Sequence, residues 1–219
     1  MSSIDQLFAK LRSENRKALM PFITAGDPDV AFTSAVLQEL VKRGAHMCEV
    51  GIPYSDPIAD GPVIQASYTR ALEKKIKLRD ILKMLGETTP KLAAPAVTMV
   101  SYAIVYRHGV EKYCDDARAA GVAGLIVPDL PVEESPQLLK ICSARELSLI
   151  QLVTPLTPRE RANLLNYNFD AARRSNPVRA RRRQFWVSVR PAGVEQGKRT
   201  TKAQRLEGST KKAGEEGMN

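Results

Sequence analysis

Three carboxylates fall within thirteen residues, Glu49-Val-Gly-Ile-Pro-Tyr-Ser-Asp-Pro-Ile-Ala-Asp-Gly61. The run from His46 to Ile52 reads as a buried strand with Glu49 near its end. Asp56 and Asp60 fall on the loop that follows. A charge at the end of a strand, under a Gly/Pro-rich loop, is how a βα enzyme builds an active site. An acid on an apolar strand is desolvated, which raises its pKa and keeps it partly protonated near neutrality, so it can donate a proton. Eleven positions separate Glu49 from Asp60, so local geometry does not join them. The loop would have to fold across the strand ends, with its freedom limited by Pro53, Pro57, Gly61 and Pro62. On these residues alone an ion-paired strand-end Glu49 is an equally good account. Asp56 is equally a turn residue before proline. Asp129 ends a later strand and is as well explained by a helix cap as by a place at the site mouth. His46 and His108 carry no ligand or triad pattern and read as structural.

The elements that must position these groups alternate along the chain. Ser2 to Arg16 reads as a helix with Ile4, Leu7, Phe8 and Leu11 on one face. Ala18 to Ala25 is a short apolar strand that stops at turn residues, where Asp27 or Asp29 can cap the next helix. That helix runs to about Arg43 with Phe32, Val36, Leu40 and Val41 inward and Gly44 as its stop. Helical segments are expected over Pro62–Leu72, Leu78–Leu85, Val110–Ala120 and Val132–Arg145. Strands are expected over Ala96–Tyr102, Gly124–Pro128 and Leu147–Val153, and Thr157–Glu160 resembles a capped helix start. Strand–loop–helix units at this spacing imply a parallel sheet with helices outside. Periodicity does not choose between an open doubly wound sheet and a barrel. No Gly-x-Gly-x-x-Gly follows the first strand, which counts against a dinucleotide fold.

The net charge is +9, but it is unevenly spread. Residues 163–219 hold 13 Lys/Arg against 5 Asp/Glu, whereas the first 162 residues hold 20 against 19. The basicity therefore belongs to the tail, where only Gln184–Val189 suggests a short strand. The rest of the tail buries too little apolar surface to offset its ordering entropy, and disorder is expected there. The division expected is thus 1–162 and 163–219. No run of about 18 apolar residues suggests a membrane span. Cys48, Cys114 and Cys142 have no metal-like spacing and read as reduced, buried thiols of a cytoplasmic protein.

Three segments in order resemble the tryptophan synthase alpha subunit family. They are Met20-Pro-Phe-Ile-Thr-Ala-Gly-Asp-Pro28, Glu49 to Gly61 with Gln65 and Ala66 after it, and Gly124-Leu-Ile-Val-Pro-Asp-Leu-Pro-Val-Glu-Glu-Ser135. The resemblance covers roughly residues 1–162. It implies an α/β fold of the TIM (β/α)8 type with the first five βα units recognisable. It implies a lyase that splits indole-3-glycerol phosphate into indole and glyceraldehyde 3-phosphate. Glu49 would be the acid and Asp60 the ring-nitrogen contact, with Phe22, Tyr102 and Val153 walling the indole slot. Pro53 and Asp56 would face a beta subunit in an alpha2beta2 assembly. No cofactor is implied in this chain, since pyridoxal phosphate is expected only in the beta subunit. The family's phosphate site draws on Gly-rich amides of later βα loops, and nothing in 163–219 matches them. An inactive fragment that binds a beta subunit is therefore the second reading. A nucleic-acid-binding protein with a basic arm is the third, since the tail has charge but no recognised motif.

Overall fold

The computed structural model describes residues 2–57, 60–153, 160 and 186–188. These all lie in one compact unit, Met1–Val189. Among the described residues six parallel strands run β1 Phe22–Thr24, β2 Cys48–Gly51, β3 Ala96–Met99, β4 Gly124–Ile126, β5 Ser148–Val153 and β6 Trp186–Ser188. Their order in the sheet is their order in the chain. A doubly wound sheet reverses direction at a switch point, and this one does not. The sheet winds one way, as in part of a (β/α)8 barrel. The short strand expected near Trp186 pairs in parallel with β5, Gln151 opposite Trp186.

The helices are α1 Ser3–Ser13, α2 Val30–Lys42, α3 Pro62–Glu73, α4 Leu78–Thr88, α5 Tyr102–His108, α6 Val110–Ala119 and α7 Ser135–Ala144. Strand alternation sorts the core into two layers. One face of the sheet carries Phe22, Val97, Met99, Ile126 and Ile150, in one cluster with Ile4 of α1. The other carries Cys48, Val50, Leu125 and Leu149, packed with Leu37, Leu85, Cys114 and Leu138 of the helices. The first face is the barrel interior. α1 opens on a capping box between Ser2 and Asp5 and is tied to β5 by a Ser148–Ser2 hydroxyl contact of 3.1 Å.

Several expectations are corrected by the backbone. β1 is shorter than Ala18–Ala25, because Pro21 has no N–H to give to a ladder. β3 does not reach Tyr102. It ends at Met99, and Ser101 caps a further helix, α5, accepting from the Ala103 N–H at 3.2 Å. α7 begins at Ser135 rather than Val132, since Pro131–Glu134 forms a turn closed by Glu134 N–H to Pro131 O at 3.0 Å. In α2 the buried positions are Thr33 and Leu37, while Phe32 is half exposed at 50%. Phe32 sits in the first turn, where its N–H is tied to the Asp29 cap at 2.7 Å, while Leu40 and Val41 further along pack against the core as expected. Asp27, the other capping candidate, instead forms a two-bond pair with Arg70 of α3 at 2.6 and 3.1 Å. The expected helix start over 157–159 and the division near residue 162 lie outside the described residues.

Candidate active site

β2 delivers Glu49 to the interior face. Glu49 lies in register with Phe22 of β1 and Val97 of β3. One step of the pleat further, Gly51 pairs with Thr24 and Met99. The position above Glu49 on the same face is therefore a glycine, and its missing side chain is used. A Cβ at Gly51 would lie 2.7 Å from Phe22 Cε2 and 2.8 Å from Tyr68 Oη. Two aromatic side chains thus close over the strand where any other residue would hold them off.

The loop after β2 turns back toward this face. Gln65 of α3 holds its end by donating to the carbonyls of Asp60 at 2.8 Å and Pro57 at 3.3 Å. Tyr54 Oη reaches Asp60 Oδ2 at 3.4 Å, and the Tyr54 and Tyr68 rings lie 5.7 Å apart. Burial, and then the negative charge of Asp60, push the Glu49 carboxyl from its ordinary 4.5 up to about 7. Asp60 is raised by burial, with the Tyr54 hydroxyl acting the other way. Tyr54 is pushed up to about 12 by burial, with Asp60 and Asp129 among the further causes, so it is a neutral donor at working pH. The eleven positions are bridged closely enough for one carboxylate to feel the other. Both carboxyls are raised by burial, and Glu49 far enough to serve as a proton donor near neutrality.

The other candidates fall in varied places. Phe22 is half-buried beside the Gly51 gap. Tyr102 is the first residue of α5, packs against the helix-side layer and lies 6.2 Å from Tyr106. Val153 ends β5, and its side chain lies outside the described residues. Pro53 is buried, whereas Asp56 is exposed and lines an open cleft of about 410 Å³ with Ser55, Gln65 and Thr69. His46 Nδ1 accepts from the Leu19 N–H at 3.1 Å, and His108 Nε2 lies 2.7 Å from Asp116, both structural uses.

Asp129 is a cap, though not of the helix that follows it. Its carboxylate accepts from Ser101 Oγ at 2.6 Å and from the Tyr102 N–H at 2.8 Å, closing the start of α5 across the sheet. Replacing such a cap typically costs about 1 kcal/mol. Asp129→Ala is therefore expected to lower Tm by roughly 2–4 °C, readable by thermal melts. An unchanged Tm would show that the cap carries no weight.

Tyr54, Gly51 and Tyr68 were not singled out by sequence pattern. Tyr68 does follow a signal, since Ile64, Tyr68 and Ala71 recur at helical spacing. A glycine inside a strand likewise signals close approach by another group.

A singly wound parallel sheet, helices outside, and a raised carboxyl under a βα loop define the TIM-barrel class of protein. The chain belongs to the tryptophan synthase alpha chain family, whose profile matches residues 8–170. The tryptophan synthase alpha chain of Rhodopirellula baltica is 56% identical over 164 residues, which are 74% of this chain and 59% of that one. That of Microcystis aeruginosa is 45% identical over 161 residues, 74% of this chain and 61% of that one. The chain thus spans about three fifths of the length of these relatives. Among solved structures, the alpha chain from Legionella pneumophila superposes with a TM-score of 0.74 at 34% identity, covering 86% of this chain and 67% of that chain. A tryptophan synthase complex from Pyrococcus furiosus gives 0.66 at 38%, covering 69% and 62%.

Proposed function

We propose that this chain is a lyase that cleaves indole-3-glycerol phosphate to indole and glyceraldehyde 3-phosphate. The observation that carries the reading is the Glu49 carboxyl, raised to about 7 on the interior face with Asp60 close enough to contribute. Cleaving the bond between indole C3 and the side chain needs an electron sink. Protonating C3 makes a cationic indolenine that can accept the bonding pair. Glu49, half of its population protonated near neutrality, is suited to deliver that proton, and the carboxylate it leaves is suited to take the side-chain hydroxyl proton as the bond to C3 breaks and the aldehyde forms. Asp60 is suited to accept the ring N–H as positive charge develops there. General acid–base help of this kind is worth about 100- to 10,000-fold per group. Phe22, Tyr102 and Val153 are proposed to wall the indole slot. No cofactor is called for by this step, and pyridoxal phosphate is assigned to a beta subunit. Pro53 and Asp56 are proposed to face that subunit in an alpha2beta2 assembly.

A second reading is favoured by one observation. Residues 163–219 show no match to the Gly-rich loops expected to hold the substrate phosphate. On that reading the chain is inactive and binds a beta subunit. The two readings separate in one assay of the full-length chain with beta subunit added. Release of indole from indole-3-glycerol phosphate supports the lyase. Absence of turnover with beta-subunit binding retained supports the inactive partner.

A further inference from the structure

Tyr68 is a large side chain spent in an unusual way. It is 1% exposed and belongs to the apolar interior cluster with Met47, Val97, Met99 and Ile126. Its hydroxyl finds no hydrogen-bond partner among the described residues. A buried phenol normally finds one. The hydroxyl is also aimed at a definite place, 2.8 Å from the point where a Gly51 Cβ would stand. Gly51 and Glu49 share one face of β2, two residues or about 6.6 Å apart along the strand. A glutamate side chain swinging up its own strand covers most of that gap.

We propose that Tyr68 is a positioning residue for Glu49, its hydroxyl donating a hydrogen bond to the Glu49 carboxylate once the proton has left. While Glu49 holds its proton, the phenol O–H stands ready without a bond among the described residues. When Glu49 gives up its proton, a negative charge appears in an apolar slot. A preorganised donor aimed at that charge stabilises it at the moment it forms. Burial, followed by Asp60, Tyr54 and Glu49, holds the Tyr68 phenol far above the usual tyrosine range, so it stays a donor throughout. Among the described residues, the groups near Glu49 are these. Phe22 and Val97, its neighbours in register, do not titrate. Asp60 and Tyr54 come from the loop, Tyr68 from α3, and Asp129, from beyond β4, acts on Tyr54.

The role of Tyr68 in turnover rests on the lyase reading, but its effect on the Glu49 carboxyl does not. The test is a carbon-13 NMR titration of side-chain carboxyls in the full chain, with Glu49→Gln used to assign the Glu49 signal. Tyr68→Phe removes one oxygen and leaves the ring packing. It is expected to raise the Glu49 midpoint by about one unit, because the ionised form loses a charge-assisted bond. A single fluorotyrosine at position 68 is a stronger donor and is expected to lower the midpoint, which serves even where the Phe variant folds poorly. A midpoint moved by neither substitution, or a shift confined to Asp60, overturns the proposal. Failure of the unaltered chain to release indole counts against the lyase reading alone, and the titration still decides on Tyr68.

Discussion

Glu49→Gln is expected to lower indole release by about 100- to 10,000-fold while the fold is kept. Glutamine has the same shape and still hydrogen-bonds, but it has no acidic proton to give to carbon. The same substitution has a second effect that needs no substrate. Folded Glu49 holds its proton up to about pH 7, while the unfolded chain releases it near 4.5. Between those values the folded state binds more protons at this site, so the Glu49 contribution to stability is fully present below pH 4.5 and is lost as pH rises through about 7. The loss is on the order of 3 kcal/mol. Urea denaturation across this window is expected to show that decline in the unaltered chain and a flatter profile in Glu49→Gln. Equal slopes in the two proteins would mean that Glu49 titrates normally in the fold.

Gly51→Val is expected to disable the site by filling it. Its Cβ alone would meet the Phe22 ring, at 2.7 Å from Cε2, and Tyr68 Oη at 2.8 Å. Two γ-methyls would add to that. Neither neighbour can yield freely, since Tyr68 is fully buried and Phe22 is fixed at the base of its ring by β1. Overpacking of this kind costs typically about 1–3 kcal/mol. Turnover should fall by more than stability does, because the displaced rings flank the position above Glu49. Gly51→Ala is expected to fall between the two. Thermal melts and indole release measured on the same preparations check the order. A Gly51→Val chain as active as the unaltered one would show that the ring closure over β2 has no part in the chemistry.

The strand at Cys48-Glu-Val-Gly51 was legible as a short buried run ending at a Pro-rich loop, and it is buried almost throughout. The winding of the sheet was not, since a parallel strand buried on both faces has the same apolar pattern in either architecture. The order of pairing decided it. α5 was hidden because Ala96–Ile104 is apolar almost throughout and Ser101, its cap, reads as one more strand residue. Its cap is completed by Asp129, 28 positions from Ser101 and just beyond the end of the neighbouring strand β4. No local pattern reports such a partner. Phe32 misled for the opposite reason. Leu40 and Val41 of the same expected face do pack against the core, beside the buried Thr33 and Leu37, but Phe32 in the first turn is exposed next to its Asp29 cap. Glu49 and Asp60 were visible as residue types on a strand and a loop. Their electrostatic contact depends on Gln65 and Tyr54 holding the loop back, and that is a tertiary fact.

The proposed cleavage needs Glu49 in its protonated form. The most direct measurement is the pH dependence of kcat/KM for indole release by the full chain with beta subunit, from about pH 5 to about pH 9. The expected profile falls tenfold per unit above about pH 7, as the carboxyl loses the proton it must donate. A rate that stays level or climbs through pH 7 would mean that the ionised carboxylate, and not the acid, is the active form.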